Sequence, residues 1–524
     1  MTKYGFVIDH RKCIGCHACT LACKAENQVP LGVFRTWVKY VEKGAFPHTR
    51  RYFTIERCQH CERAPCVQIC PTRTLYKRRD GIVDFDSERC IGCKACMQAC
   101  PYDALYIDPA THTAAKCHYC AHRTERGLLP ACVIVCPTKA IIAGDLEDPA
   151  SEIAQTLARE QVQVRRPDQG TRPQVFYVGA DEVAITPGLA AQPPQYLWAE
   201  VGPATADLAP KGALGPWDHA APAAPGALAP QGIASARAVT VYDVPHPKPW
   251  GWKIASYLWT KSIAAGALAV AAPLLAVGFG GTALTIWAPL LALVFTVLTV
   301  GLLVWDLKRP ERFWRVLLTP NLRSWLPWGG YLLTLYALVA GLWLLAGWLG
   351  RGGIPPVLLW LGLLLGAATA GYSAFLFGQA EGRDFWQSPL LLWHLLAAAV
   401  LAGSAALLLA ALAIPAPALQ TPLTGVLLGS LLLVLVLALT ELYTPHANKD
   451  VATAAALVTR GPLARRFWLG YVLLGAVVPA LGLLGVLGWG WPLGVGGLAA
   501  VLALGGLWCY EDVWIRAGQS VAMS

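Results

Sequence analysis

From Lys261 onward the chain is written almost without charge. The uncharged runs hold 44 residues between Lys261 and Asp306, 27 between Arg323 and Arg351, 29 between Arg351 and Glu381, 56 between Asp384 and Glu441, and 44 between Arg466 and Glu511. Breaks at 278–282, at Pro415-Ala416-Pro417 and at 489–492 divide the three longest in two. A helix needs about 20 apolar residues to cross a bilayer, so the pattern predicts eight transmembrane helices. Buried helices of a water-soluble protein would be shorter and amphipathic. Before residue 251 the pattern changes. Short alternating runs, Gly81-Ile82-Val83-Asp84-Phe85 and Ala104-Leu105-Tyr106-Ile107, read as strands of a small, loop-rich α+β domain.

Three segments follow: an α+β domain over 1–164, a linker over 165–250 and an all-α membrane domain over 251–524. The linker carries 14 prolines in 86 residues, with text such as Ala220-Ala221-Pro222-Ala223-Ala224-Pro225, and is expected to hold no long helix or central strand. It reads as a semi-extended tether, or as an arm over a partner subunit or the membrane surface. Composition agrees with the division. Residues 251–524 hold only 14 Lys+Arg and 8 Asp+Glu, and 18 of the 21 tryptophans lie after residue 249. A mean hydropathy of +0.46 excludes a wholly soluble enzyme and a disordered regulator. The +10 net charge is split as +4 before residue 251 and +6 after it, the latter in loops, so it is not a nucleic-acid signal.

Sixteen of the 17 cysteines fall into four sets of four: Cys13, Cys16, Cys19, Cys23; Cys58, Cys61, Cys66, Cys70; Cys90, Cys93, Cys96, Cys100; and Cys117, Cys120, Cys132, Cys136. The first and third keep C-x2-C-x2-C-x3-C, and the last three end in Cys-Pro. A tight loop can present three thiolates to three corners of a cubane, while the fourth reaches a neighbouring cluster. Zinc also uses C-x2-C knuckles, but it gives no reason for the third cysteine or the repeated Cys-Pro ending. Disulfides would suit a secreted domain, and the opening residues show no apolar leader. The expectation is four [4Fe-4S] clusters, with each fourth cysteine starting a short helix toward the next cluster. Spacing leaves open which sets pair.

Phe6-Val7-Ile8-Asp9 leading into Cys13-Ile14-Gly15-Cys16, then Ala22-Cys23-Lys24-Ala25-Glu26-Asn27, resembles the four-cluster electron-transfer subunits of molybdopterin oxidoreductases. That group includes the polysulfide, dimethyl sulfoxide, nitrite and tetrathionate reductases, and the likeness covers roughly residues 1–160. It implies crossed ligand sets. One cluster would take Cys13, Cys16, Cys19 and Cys136, and its partner Cys117, Cys120, Cys132 and Cys23. The inner pair would use Cys58, Cys61, Cys66 with Cys100, and Cys90, Cys93, Cys96 with Cys70.

The segments Asp306-Leu307-Lys308-Arg309-Pro310-Glu311-Arg312-Phe313, Ser324-Trp325-Leu326-Pro327-Trp328-Gly329 and Gln379-Ala380-Glu381-Gly382-Arg383-Asp384-Phe385-Trp386-Gln387-Ser388-Pro389 resemble the NrfD/polysulfide-reductase family of eight-helix quinone-reactive anchors. The chain thus looks like a fusion of two subunits. Eight spans put both ends of the membrane domain on one side. That side carries Lys253, Lys261, Lys308, Arg309, Arg312, Arg315, Arg323, Arg383, Lys449, Arg460, Arg465, Arg466 and Arg516, against Arg351 opposite. The bias predicts a cytoplasmic iron–sulfur domain on the inner membrane.

Polar side chains inside a bilayer are costly and mark functional sites. Lys261, Tyr372 and His394 fall at similar depth, with Glu441 and Asp306 ending spans on the same side, and together they are the candidate pocket for a menaquinone or ubiquinone head group. The two histidines of the membrane domain, His394 and His446, are too few for a dihaem anchor, so no haem is expected. Cys509 reads as an inert buried thiol. The resemblance implies an electron-transfer and anchor subunit linking a molybdopterin-containing catalytic subunit to the quinone pool. The alternative is a quinol-oxidising part of an assembly like alternative complex III. A protein of this kind is a non-catalytic or quinone-reactive part of a larger oxidoreductase.

Overall fold

The computed structural model describes residues 2–45, 47–191, 238–350, 353–414 and 416–524. The proline-dense stretch 192–237, Arg351 and Pro415 lie outside the described residues. The chain divides into two units, one running to Pro247 and including Ala522–Ser524, the other Lys248–Val521.

The first unit holds strands β1 (Tyr4–Asp9), β2 (Thr36–Ala45), β3 (His48–Arg57), β4 (Leu75–Lys77), β5 (Val83–Phe85), β6 (Leu105–Ile107), β7 (Ala114–Lys116), β8 (Ile141–Asp145), β9 (Val162–Gln163), β10 (Val175–Val178) and β11 (Ala238–Tyr242). Phe6, Val7 and Ile8 are all fully buried, the mark of a strand covered on both faces. β1 is accordingly central, in a sheet of order β8-β1-β10-β9, parallel to β10 (Ile8 opposite Tyr177) and antiparallel to β8. A second sheet runs β11-β2-β3, and two small hairpins, β4-β5 and β6-β7, fall between the second and fourth cysteine sets.

Two expectations are corrected here. The segment 165–250 does hold a central strand, β10, and β11 joins the second sheet. Its prolines are concentrated after residue 186, so an average over 86 residues hides Val175-Phe176-Tyr177-Val178. Arg165, at the start of that segment, is fully buried, ion-paired with Glu56, and donates to the Met523 carbonyl at 3.4 Å. Second, no fourth cysteine starts a short helix: Cys70 and Cys100 cap the ends of theirs, Cys23 lies within its helix, and Cys136 follows the end of its helix by two residues. The third cysteine sits in the helix: Cys19 in Ala18–Glu26, Cys66 in Pro65–Ile69, Cys96 in Ala95–Ala99, Cys132 in Ala131–Ile134. One helical turn from third to fourth cysteine puts both on one face.

Among the described residues, eight helices of the second unit are long and apolar enough to cross a membrane: Trp252–Ala276, Ala283–Asp306, Trp325–Leu349, Pro356–Gly378, Leu391–Ala413, Pro417–Tyr443, Arg466–Trp489 and Leu493–Ser520. We call them spans one to eight. The protein is a multi-pass membrane protein. Spans one and five are the core, 78% and 67% buried over their apolar windows against 28% for spans two and three. Gly266 and Gly403 let those two backbones touch, since a Cβ at Gly266 would meet the Gly403 nitrogen at 2.8 Å. Small residues serve helix packing in lipid in this way. Lys261 lies inside span one and is not a loop charge. Span eight runs nine residues past Glu511, so that carboxylate is interior and does not end the helix as the charge pattern suggested.

Candidate functional site: cysteine array and membrane polar cluster

Each cysteine set opens on a loop wound by left-handed residues. The residue before the second cysteine has positive φ in all four: Gly15 (70°), His60 (45°), Gly92 (69°) and Tyr119 (61°). Glycine takes this conformation without cost, whereas His60 and Tyr119 hold it against steric strain. Backbone amides then turn toward sulfur. Ala140 donates to Cys136 Sγ at 3.2 Å, Gly92 and Ala114 to Cys90 Sγ at 3.3 Å, and His60 to Cys58 Sγ at 3.5 Å. Such bonds favour thiolates.

The fold brings the fourth cysteine of each set near cysteines of another. Cys23 lines one cavity with Cys117, Cys120 and Cys132, and Asn27 Nδ2 donates to Cys23 Sγ (3.6 Å) and Cys120 Sγ (3.8 Å). Cys100 lies within electrostatic reach of Cys58, Cys61 and Cys66. Cys70 stands in the same relation to Cys93 and Cys96, and Cys136 to Cys13. Burial pushes the Cys19, Cys93 and Cys100 thiols up to about 12, so as thiolates they need a cationic partner. Arg57, fully buried, offers Nε and Nη1 with no partner beside this cavity. These features fit an anionic iron–sulfur cluster.

In the membrane unit the five candidates split into two groups. Lys261 Nζ donates to the Ala370 carbonyl (2.8 Å) and Ser373 Oγ (2.7 Å) and lies 5.0 Å from the Tyr372 ring centroid. His394 stacks on Tyr510 with centroids 4.7 Å apart, and the Tyr510 hydroxyl donates to Glu441 Oε2 at 3.2 Å. Tyr471, from a π-helical stretch of span seven, packs 4.8 Å from Tyr510. Asp306 ends span two and interacts with Tyr257, which also reaches Tyr372. Glu511 is within charge range of both Lys261 and Tyr510, linking the groups. Tyr257, Tyr471, Tyr510 and Glu511 were missed by sequence reasoning. The signal for Glu511 was available, a carboxylate with only one basic residue, Arg516, in the twelve that follow it.

Buried polar atoms without a partner cluster here: both His394 ring nitrogens, Glu441 Oε1, both Glu511 oxygens and the Tyr471 hydroxyl. Donors and acceptors from spans five to eight thus face one another with hydrogen-bonding capacity unspent. A polar head group with two carbonyl or hydroxyl oxygens fits that chemistry.

Comparison with known proteins agrees with both halves. The 4Fe-4S dicluster domain matches residues 49–146, a 4Fe-4S binding domain matches 11–26, and the polysulphide reductase family NrfD matches 240–486. The protein is similar to a tetrathionate reductase subunit of Salmonella typhimurium, 46% identical over 203 residues, covering 38% of this chain and 81% of that protein. It is likewise similar to a polysulfide reductase chain of Wolinella succinogenes, 43% identical over 181 residues, covering 34% of this chain and 94% of that one. Protein NrfC of Escherichia coli is 44% identical over 179 residues, covering 34% of this chain and 80% of its own length. The protein belongs to the family of iron–sulfur electron-transfer subunits of membrane-linked reductases, carrying an NrfD membrane domain fused behind the iron–sulfur domain.

Proposed function

We propose that the chain passes electrons through four [4Fe-4S] clusters between a molybdopterin-containing catalytic subunit and menaquinone or ubiquinone in the inner membrane, with its iron–sulfur domain on the cytoplasmic side. The clusters supply one-electron transfer, and the protein's own part is to hold, space and tune them. Cys13, Cys16, Cys19 and Cys136 hold one, Cys23, Cys117, Cys120 and Cys132 the next. Cys58, Cys61, Cys66 and Cys100 hold the third, Cys70, Cys90, Cys93 and Cys96 the fourth. The convergence of the fourth cysteine of each set on another set is the observation that carries this reading.

At the membrane end, His394 and Glu441 hold the head group through the ring nitrogens and Oε1 that have no other partner, and exchange its protons. Tyr510 fixes both, by stacking on one and bonding the other. Lys261, Tyr372, Glu511 and Asp306 extend the polar cluster toward spans one, two and four.

Purification of the chain with its native partners tests the reading. Molybdenum and about sixteen irons and sixteen labile sulfides per chain are expected, four of each per cubane. Zinc with little sulfide contradicts the cluster assignment, and c-type haem in place of molybdenum contradicts the partner.

A further inference from the structure

We propose that Arg57 and Lys116 are a crossed pair of buried cations that set the potentials where the two cluster pairs meet, each acting on the set beyond its own loop. This rests on the crossed ligand sets proposed above.

A basic residue stands immediately before the first cysteine of every set: Lys12, Arg57, Arg89 and Lys116. Two of these are spent at the surface, Lys12 beside Asp9 (3.8 Å) and Arg89 beside Asp86 (3.0 Å). Arg57 and Lys116 are fully buried, and among the described residues neither has a carboxylate partner. A buried charge without a counter-charge is unstable, so something anionic must lie against each.

The geometry identifies it. Arg57 ends β3 directly before Cys58, yet its Nη2 donates to Cys132 Sγ at 3.2 Å, and its guanidinium lies 4.2 Å from the Phe6 ring centroid. The carbon side of the guanidinium is thus covered, and Nε and Nη1 remain unpartnered. Lys116 ends β7 directly before Cys117, and its fully buried ammonium donates to the carbonyls of Val83 and Cys117 while lying within electrostatic range of Cys58. Cys58 and Cys117 are themselves in electrostatic range. The cation from each strand therefore crosses to the other strand's loop, at the junction between the Cys58–Cys61–Cys66–Cys100 set and the Cys23–Cys117–Cys120–Cys132 set.

An electron moving between those sets reduces one core by one electron and oxidises the other by one. No bond is made or broken and no proton moves. The reduced core carries one more negative charge, which a desolvated cation favours strongly because no water screens it. Arg57 thus raises the potential of the Cys132 set, and Lys116 that of the Cys58 set. Two cations of equal charge, one per side, keep the step between the pairs nearly level.

The test is a redox titration of the full-length chain followed by electron paramagnetic resonance, with iron content measured on each sample. Arg57→Gln is expected to lower the reduced-to-oxidised ratio of one cluster at least tenfold at fixed potential, about 59 mV for one electron. Lys116→Gln is expected to do so for a different cluster, and Arg57→Lys to restore most of the loss. Signals are assigned with Cys132→Ser and Cys58→Ser. Unchanged potentials with full iron overturn the proposal while leaving the ligand sets intact. Loss of iron from the glutamine and charge-keeping variants alike also overturns it, by making the cations purely structural. Assignment of both shifts to clusters held by sequential cysteines would instead reject the ligand sets.

Discussion

The Tyr510 hydroxyl donates to Glu441 Oε2 across 3.2 Å while its ring stacks on His394 at 4.7 Å, joining spans five, six and eight at one residue. Tyr510→Phe keeps the stack and removes the bond. It is expected to slow electron exchange between quinol and the clusters about tenfold, and His394→Ala and Glu441→Gln about 100-fold or more, the usual range for loss of a proton-transferring group. Rapid-mixing spectroscopy on the detergent-purified protein measures all three, with iron content unchanged.

Cys100→Ser separates crossed from sequential ligand sets. Because Cys100 lies with Cys58, Cys61 and Cys66, the variant is expected to disturb the resonance signal abolished by Cys58→Ser. Disturbance only of the signal abolished by Cys93→Ser would show that the third set closes on itself.

Topology is open to a direct check. A reporter active only in the periplasm should stay silent when fused after Ser524 and should be active when inserted at Gly353. The reverse pattern would show that the basic loop residues bind protein and do not record orientation.

His246 gives the iron–sulfur unit a pH dependence. Burial disfavours its charge, but hydrogen bonds to Asp103 (2.5 Å) and Asp243 (3.3 Å) outweigh that and raise its pKa from 6.5 to about 9. A pKa raised by folding stabilises the charged form, so the contribution is complete below about pH 6.5 and is lost as pH rises through about 9. The melting temperature of the full-length protein should fall more between pH 6.5 and 9 than that of His246→Gln. Equal falls would remove His246 from the account.

The parts legible in the sequence are those where chemistry repeats at fixed spacing. Two cysteine sets at ferredoxin intervals, with the Cys-x3-Cys step kept in all four, announce their cofactor, and a span of some 20 uncharged residues has few readings other than a membrane helix. Long-range contacts were hidden. Val175–Val178 is a four-residue strand whose partner Tyr4–Asp9 lies over 160 residues away, and neighbouring prolines masked it. Arg57 and Lys116 look like ordinary surface cations in the sequence, and only tertiary packing buries them. Glu511 was read as the end of a helix because charge usually ends a span. It is buried within charge range of Lys261 of span one, which sequence periodicity cannot bring near.

The central claim is that electrons cross between a membrane quinone and the cysteine-held clusters inside one polypeptide. The most direct test pre-reduces the purified full-length protein, mixes it with a soluble menaquinone or ubiquinone analogue, and follows the cluster resonance signals. The account predicts rapid loss of those signals in the unmodified protein, and retention over the same interval in the His394→Ala, Glu441→Gln double variant with all iron in place. Oxidation of both proteins at one rate, or of neither, would contradict it.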